Sequence, residues 1–368
     1  MSWPSCGTLA SDSPGRVSFF AATVPGLGPL LRDEVAAHPD LDPGAEGGFD
    51  GRADLVFFRV RRGARLRLEG LRLAEDVFVV ISGTRSGPAG RVAASLVTKV
   101  GLERALSVRA AYVRHLSPSM TFRVIARVMD ESRFQRTELR GAIERAIGAS
   151  RPRWRIADPA DLEVWAVEHR RAQFVSGLRL SDQRLRRHGE GRASERHGAL
   201  RPVAAAAMIQ LAGAQPGRLL DPCCGSGTIV REALAAGWDA QGSDLDQEAV
   251  DVARANVEAV IRRADALSLP HPDGAFDAVV TNLPFGRQFR PDAARARASA
   301  AGRSAPAGSS AGWVQGALRE AARVTRPGGR VVVLVPSVPR PPAGLTLSGS
   351  YPLRLLGVPA RIWVFGRA

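Results

Sequence analysis

The chain has 368 residues, of which 45% are hydrophobic and 24% are charged, a composition typical of a soluble globular protein with two or three domains. Arg and Lys residues number 51 against 36 Asp and Glu residues, which gives a formal net charge of +15. No run of 18 apolar residues occurs and residues 1–15 lack a basic-then-apolar pattern, so we expect neither a membrane span nor a secretory signal.

Residues 1–15 are small and polar and predict a disordered tail, which contains Cys6. The other cysteines, Cys223 and Cys224, are adjacent in sequence and lack the spacing of a zinc site. We therefore expect neither a disulfide framework nor a metal site. A reducing cytoplasm is the expected location.

Short strands and helices follow the tail. Alternating and helical apolar patterns predict a strand over 17–23, a helix over 26–36 and strands over 54–60 and 76–82. The glycine-rich segment 44–51 is predicted to be a loop. This mixture indicates a small α+β unit.

The next segment contains a clearer pattern of alternation. Residues 120–129 predict a strand, and a helix follows whose apolar face carries Leu139, Ile143 and Ile147. Residues 162–167 and 173–180 predict a hairpin. Residues 184–196 are polar and contain two glycines, which is typical of a linker.

Positive charge concentrates in this middle part of the chain. Residues 51–200 hold 30 Arg and Lys against 16 Asp and Glu, whereas residues 201–300 hold 10 against 12. Arginine enrichment from a GC-rich genome explains part of the total, but the uneven distribution favours a polyanion-binding module beside a second domain. A solvated helix face remains the alternative for any single arginine stripe. The candidate phosphate-binding residues are Arg123, Arg127, Arg133, Arg136, Arg140, Arg186 and Arg187.

After residue 200 the pattern changes to alternating strands and helices. A helix is predicted over 201–212, and short apolar strands are predicted at 219–220, 240–243, 278–281 and 331–335. This alternation indicates a doubly wound, mostly parallel α/β sheet, in which ligands bind at the carboxyl ends of the strands.

The first of these strands ends in a glycine-rich turn, D-P-C-C-G-S-G-T at 221–228. Gly225 and Gly227 permit a tight turn and a close approach to a ligand. Asp221 would repel the pyrophosphate of a dinucleotide, but it suits the ammonium and sulfonium groups of S-adenosylmethionine. Asp244 could accept the ribose hydroxyls and Asp265 an adenine amine. The candidate cofactor residues are Asp221, Cys223, Gly225, Ser226, Gly227, Thr228, Asp244, Leu245, Asp265, Ala266 and Asn282.

The fourth strand of this half is followed by Asn282, Leu283, Pro284 and Phe285. This tetrapeptide resembles the Asn/Asp/Ser-x-Pro-Phe/Tyr motif of Rossmann-like methyltransferases that methylate amines. The resemblance implies that the Asn282 amide oxygen and the Leu283 carbonyl accept the N–H groups of the target amine, while Phe285 stacks on its ring. Pro284 fixes the turn because it lacks an N–H. A base in a paired stem would have to be flipped out.

The rest of the chain is similar to one family, the THUMP-containing RNA methyltransferases. The matching stretches are A-T-V-P-G-L at 22–27, T-F-R-V at 121–124, L-R-R-H at 185–188 and L-R-P at 200–202. The resemblance implies a ferredoxin-like domain over 16–95, a THUMP RNA-binding domain over 96–188, a linker over 189–200 and a Rossmann-like class I methyltransferase domain over 201–368. The fold class expected is therefore this α/β domain preceded by an α+β ferredoxin-like/THUMP module.

For function, the resemblance implies N2-methylguanosine formation in the acceptor stem of tRNA, at position 6. The alternatives are 23S rRNA or the tRNA elbow as substrate, an adenine-N6 or protein-glutamine methyltransferase, and a non-catalytic RNA-binding protein. Two segments depart from the pattern. The segment between Asn256 and Asp265 is short for a strand, and the Ala/Arg-rich insertion 291–312 is expected to be a surface loop. The oligomeric state and the number of methyl groups transferred stay open.

Overall fold

The computed structural model describes residues 17–49, 51–112, 119–129, 132–188, 199–284, 310–337, 341–355 and 357–368. The chain divides into two compact units, Met1–Gly189 and Glu190–Ala368. The boundary falls at the start of the expected linker 189–200. The expected tail 1–15 lies outside the described residues, and the division of the first unit at residue 95 stays a prediction.

The first unit is built on one continuous mixed sheet. Its strands are β1 Ser18–Thr23, β2 Leu41–Phe49, β3 Ala53–Val60, β4 Asp76–Arg85, β5 Thr121–Arg127, β6 Arg155–Ile156, β7 Leu162–Arg170 and β8 Gln173–Arg179. Its helices are α1 Gly28–Ala37, α2 Ala89–Leu96, α3 Lys99–Ala110, α4 Arg136–Ser150 and α5 Gln183–Arg187, with a 3₁₀ turn at Leu68–Gly70. The strand order is β2-β3-β1-β4-β8-β7-β5-β6.

Aromatic side chains fill the core between these elements. Phe20 of β1 stacks on Phe78 of β4, with ring centroids 4.6 Å apart, and both rings are fully buried. Phe57 and Val175 complete the same cluster from β3 and β8. Buried aromatic pairs add to the apolar burial that holds the sheet together.

Two local predictions for this unit are wrong. The glycine-rich segment 44–51 is mostly strand β2, which pairs antiparallel with β3. At Gly47 a Cβ would lie 3.0 Å from Nδ1 of His169, so a glycine here permits close approach of another strand rather than a loop. The segment 184–196 begins inside helix α5, where the Asp182 side chain accepts the Arg184 N–H.

The second unit is the doubly wound sheet expected from the sequence. Its helices are α6 Pro202–Ala212, α7 Thr228–Ala235, α8 Gln247–Asn256 and α9 Ser310–Val324, and its strands are β9 Arg218–Asp221, β10 Asp239–Asp244, β11 Val260–Arg263, β12 Phe276–Asn282, β13 Thr325–Leu334, β14 Leu345–Leu355 and β15 Val358–Arg367. The order is β11-β10-β9-β12-β13-β15-β14. The first five strands in this order are parallel, and β15 is antiparallel to β13.

The strand order reverses between β9 and β12, which is the topological switch point where such sheets bind ligands. Helix α9 covers one face, and its Val314, Leu318 and Ala321 pack on Val279 and Val331 of the central strands. Within the described parts of the chain, no helix combines the length and apolar composition that crossing a bilayer requires.

Candidate active site

The carboxyl ends of four neighbouring parallel strands bring the predicted polar residues to one edge of the second sheet. Asp221 and Asn282 end β9 and β12, which pair with each other, and Asp244 ends β10 on the other side of β9. Asp265 follows β11, which lies next to β10. Three carboxylates and one amide therefore line this edge of the sheet.

The glycine turn between β9 and α7 has the backbone geometry that its sequence demands. Gly225 and Gly227 have φ values of +53° and +83°, which L side chains rarely adopt. A Cβ added to Gly225 would meet no atom within 4 Å, so open space lies beside this part of the turn. The turn is fixed from outside, because the amide of Asn256 donates to the carbonyl of Ser226 at 2.9 Å. Ser226 and Thr228 are buried.

Asp221 is a buried acid. The residue is 1% exposed, and its Oδ1 accepts the N–H of Cys223, 3.1 Å away. Burial raises the pKa of Asp221 to about 7, and the nearby charge of Asp244 acts in the same direction, while the Cys223 N–H opposes the shift. A carboxyl in this environment would gain most from a cationic partner, such as the ammonium group of an amino acid.

Asp244 connects the end of β10 to the glycine turn. Its Oδ2 accepts the N–H of Gly225 and its Oδ1 accepts the N–H of Asp246, both at 3.0 Å. Each carboxylate oxygen has two lone pairs, so further acceptor capacity exists for ligand hydroxyls. Leu245 follows, and its carbonyl accepts from Arg263 at 3.1 Å. The second acid is therefore oriented before any ligand binds.

The short third strand keeps Asp265 at the same edge. β11 has only four residues, yet Arg263 is the strand-pairing partner of Asp244 in the parallel ladder with β10. Ala264 donates its N–H to the Asp244 carbonyl. Asp265 then accepts the N–H of Leu267 at 2.9 Å, which tightens the turn that contains Ala266. The brevity of this segment therefore does not move Asp265 away from the site.

The predicted catalytic turn starts at the last residue of β12. The side-chain oxygen Oδ1 of Asn282 is buried and has no hydrogen-bond partner among the described residues. The Oγ of Ser243, at the end of β10, is in the same condition. Buried acceptors without partners are costly, so they mark places where a ligand can supply the missing donors. Leu283 is buried, Pro284 is partly buried, and Phe285 lies outside the described residues.

Both units of the chain are similar to known proteins. A family model described as "UPF0020: RMKL-like, methyltransferase domain" matches residues 190–298. The tRNA (guanine(6)-N2)-methyltransferase of Thermus thermophilus is 34% identical over 284 residues, which cover 72% of this chain and 78% of the relative. The chain belongs to the tRNA guanine-N2-methyltransferase family.

Solved structures agree with this membership. The crystal structure of TrmN from Thermus thermophilus covers 96% of this chain and 100% of its own, with a TM-score of 0.68 and 25% identity. A predicted N6-adenine-specific DNA methylase from Listeria monocytogenes shares the fold, with a TM-score of 0.60, 14% identity and coverage of 96% and 97%. This guanine-N2-methyltransferase family member thus has the Rossmann-like methyltransferase fold and uses S-adenosylmethionine as methyl donor.

The two cysteines of the glycine turn are not part of the proposed chemistry of this family member. Burial raises the pKa of both Cys223 and Cys224 thiols, so neither is a reactive thiolate. Among the residues that the structure describes, no cluster of His, Cys, Asp or Glu side chains could hold a metal ion.

The arginines predicted to bind phosphate fall into two groups in this family member. Arg123 donates through Nε to Glu163 and through Nη1 to Asp158, each at 2.7 Å. Arg186 pairs with the buried Asp76, 3.2 Å from Nε to Oδ1. These two arginines join elements of the first unit. The second group has exposed side chains, and one of its members, Arg140, pairs with Glu144 at 3.7 Å: Arg133, Arg136, Arg140 and Arg187.

Arg127 lies in a concentration of positive charge that sequence reasoning found only in part. Its guanidinium lies 5.7 Å from the ring centroid of Trp165. Burial lowers the pKa of Arg127, and the charges of Arg52 and Arg136 lower it further. Arg52 lies in the turn between β2 and β3, far from the others in sequence, so no local pattern could have identified it. The arginine cluster, Arg52, Arg127 and Arg136, is therefore a feature of the folded unit.

Proposed function

We propose that the chain methylates N2 of a guanine in the acceptor stem of tRNA, at position 6. The observation that carries this proposal is the unpartnered, buried Oδ1 of Asn282 at the edge where Asp221, Asp244 and Asp265 also lie. The similarity to the tRNA (guanine(6)-N2)-methyltransferase over 72% of the chain supports the choice of base and position.

The residues at this edge suit the cofactor. S-adenosylmethionine supplies a methyl group on a positively charged sulfur. The buried Asp221 would hold its ammonium group, and Asp244 would accept the ribose hydroxyls with its remaining lone pairs. Asp265 would accept the adenine amine. Open space beside Gly225 leaves room for the ligand next to the backbone of the turn.

The catalytic turn would position the amine rather than activate it chemically. An exocyclic amine of guanine is a weak nucleophile, since its lone pair is delocalised into the ring. Asn282 Oδ1 and the Leu283 carbonyl would accept its two N–H groups and so aim the lone pair at the methyl group. Burial of this amide oxygen and of Leu283 excludes water that would compete for these hydrogen bonds. Phe285 would stack on the base.

We assign RNA binding to the first unit, with a THUMP domain over 96–188. The arginine cluster supports this assignment, because Arg52, Arg127 and Arg136 raise a local positive potential that a phosphate would relieve. Arg133, Arg140 and Arg187 are exposed and extend the candidate surface. Arg123 and Arg186 act within it as positioning residues through their carboxylate partners. The cytoplasm remains the expected location.

Incubation of the protein with methyl-labelled S-adenosylmethionine and total tRNA, followed by nucleoside mass spectrometry, tests this function. We expect labelled N2-methylguanosine in tRNA and no labelled N6-methyladenosine. If 23S rRNA is labelled and tRNA is not, the substrate is 23S rRNA, while the assignment of the reaction as guanine-N2 methylation stands. Absence of label in every RNA, with bound cofactor and bound tRNA both measured, would instead support the non-catalytic RNA-binding alternative.

A further inference from the structure

The hairpin of β14 and β15 extends beyond the carboxyl edge of the second sheet. The paired register of β13 and β15 ends at Leu334 and Ile362, whereas β14 and β15 continue to pair as far as Leu355 and Val358. Leu334 in turn pairs with Asn282 of β12. With neighbouring strands about 4.8 Å apart, the backbone of Ile362 at the base of the extension lies about 10 Å from the backbone of Asn282.

One face of this hairpin carries two arginines. Residues that pair across an antiparallel ladder lie on the same face of the hairpin, and so do residues two positions apart on one strand. Arg354 pairs with Pro359, so Arg354 lies on the same face as Arg361 and Trp363. The Arg361 guanidinium lies 5.3 Å from the Trp363 ring centroid, and its Nη1 donates to Ser350 Oγ at 2.9 Å. Trp363 is itself fixed, because Nε1 donates to the Val335 carbonyl at 3.2 Å.

These contacts orient Arg361 without neutralising it. The chain has no acidic residue after Glu320, whereas seven arginines follow that position. Among the residues that the structure describes, neither Arg354 nor Arg361 forms an ion pair. A guanidinium held in place by an indole ring and a hydroxyl loses less conformational entropy when it binds a phosphate, and its planar donors match phosphate oxygens.

We propose that Arg354 and Arg361 bind phosphates of the substrate RNA next to the site that receives the target base. The proposal rests on the proposed function, which it extends by adding an RNA contact on the methyltransferase unit. The register places the side chains of Asn282 and Ile362 on one face of the sheet and that of Arg361 on the other, so the two arginines would contact phosphates beside the site rather than those of the flipped nucleotide itself. The two arginines would act as positioning residues, with no part in the methyl transfer itself.

The test combines Arg354→Gln and Arg361→Gln in the full chain. We expect the KM for tRNA to rise about tenfold and the slope of log affinity against log salt to decrease by about 2, while kcat and cofactor affinity stay unchanged. Arg319→Gln is the matched control, because Arg319 is an exposed arginine on α9 of the same unit and should alter none of these values. Arg361→Lys keeps the charge but loses the planar fork, so an intermediate KM is expected.

Unchanged KM and an unchanged salt slope in the double variant would overturn the hairpin proposal. Thermal melting shows whether Arg361→Gln disturbs the contact with Trp363. If it does, Arg354→Gln alone decides, since this side chain is exposed, and an about threefold rise in KM is then expected. Direct binding of total tRNA gives a second readout that does not depend on methylation. If the wild type binds tRNA normally but does not methylate it, the proposed function is wrong. If the wild type and the double variant bind tRNA equally, the hairpin proposal is wrong.

Discussion

Asn282 ends its strand with an amide oxygen that is buried and lacks a partner among the described residues. Leaving such an acceptor unsatisfied costs about 1–3 kcal/mol in a folded protein, so a ligand that supplies the missing donor would stabilise it. Asp221 is a second residue whose environment opposes its ordinary state, because burial disfavours the charged carboxylate. Both residues are expected to gain stabilisation from ligands, one from an amine and the other from an ammonium group.

Replacing the amide oxygen tests the first of these roles. We expect Asn282→Ala to reduce the rate of methyl transfer by at least about 100-fold, since the target amine loses one of its two positioning acceptors. Affinity for tRNA should stay near that of the wild type, because the arginine cluster lies in the other unit. Asn282→Asp, which retains an acceptor oxygen, should be less severely affected in single-turnover assays. Equal turnover of Asn282→Ala and wild type would remove Asn282 from the mechanism.

The pKa of Asp221, about 7, predicts a pH-dependent cofactor affinity. An ammonium ligand needs the ionised carboxylate, so binding below pH 7 requires loss of a proton and weakens by up to about tenfold per pH unit. The affinity should be highest near pH 7–8, because an α-amino group loses its own proton above about pH 8. Isothermal calorimetry from pH 5.5 to 8.5 measures this profile, and Asp221→Asn should flatten it while weakening binding throughout.

The same shift predicts the opposite trend for stability without cofactor. The unfolded carboxyl titrates near its ordinary value while the folded one titrates near 7, so the unfolded state binds fewer protons between these values. This contribution therefore makes the protein less stable as pH rises from about 4 to about 7. Asp221→Asn should remove the trend, so that its melting temperature exceeds that of the wild type at pH 8. A wild type that melts higher at pH 8 than this variant would contradict the burial of an uncompensated acid.

At the scale of elements, the turn from β9 to α7 is the part whose backbone matters most. A positive φ costs an L residue about 1–2 kcal/mol, so the glycines of this turn serve conformation. Gly225 has in addition no atom within 4 Å of an added Cβ, whereas Gly237, with φ +87°, would place its Cβ 3.6 Å from Pro216 away from the site. An alanine at either position would strain the backbone, but only an alanine at Gly225 would enter the space proposed for the ligand.

Gly225→Ala and Gly237→Ala form a matched pair. Both should lower the free energy of unfolding by about 1–2 kcal/mol, because both force an alanine into the left-handed region. Only Gly225→Ala should weaken cofactor binding further, by about tenfold or more, since its methyl group enters the space proposed for the ligand. Denaturant unfolding and cofactor titration measure the two effects separately. Equal cofactor affinity in the two variants would place the ligand elsewhere.

At the scale of the whole molecule, charge separates the two halves of the chain. The basic excess between residues 51 and 200 has no counterpart between 201 and 300, and part of that excess folds into the arginine cluster. The charges of Arg52 and Arg136 lower the pKa of Arg127, which indicates a raised local potential for an anion. The first unit is therefore where most of the electrostatic binding of RNA is expected.

A triple variant, Arg52→Gln, Arg127→Gln and Arg136→Gln, tests this expectation. Affinity for tRNA should fall about tenfold or more at moderate salt, and the slope of log affinity against log salt should decrease by about 2–3. Arg145→Gln, an exposed arginine at another position of α4, is the control and should change neither. If the triple variant binds like the control, the basic composition of this region reflects only the arginine content of the genome.

The sequence by itself determined the parts of this protein that neighbouring residues encode. The glycine turn after β9 and the strand ends at Asp221, Asp244 and Asn282 lie where the sequence predicted them, because strand ends and tight turns depend on a few consecutive residues. Parallel strands then bring those ends to one edge. Phe285 belongs to the same motif, but its position stays a prediction because it lies outside the described residues.

Only the tertiary structure decided which charges are neutralised. Arg123 pairs with Glu163, which is 40 residues away in sequence, and Arg186 pairs with Asp76, which is 110 residues away. No pattern of neighbouring residues could predict these ion pairs. Arg52 joins Arg127 for the same reason, since the fold and not the sequence makes them neighbours. The strand β2 was missed because its glycines favour turns locally, and pairing with β3 overrides that preference. Contacts between distant segments thus set the electrostatics of the molecule, because charge interactions depend on distance in space.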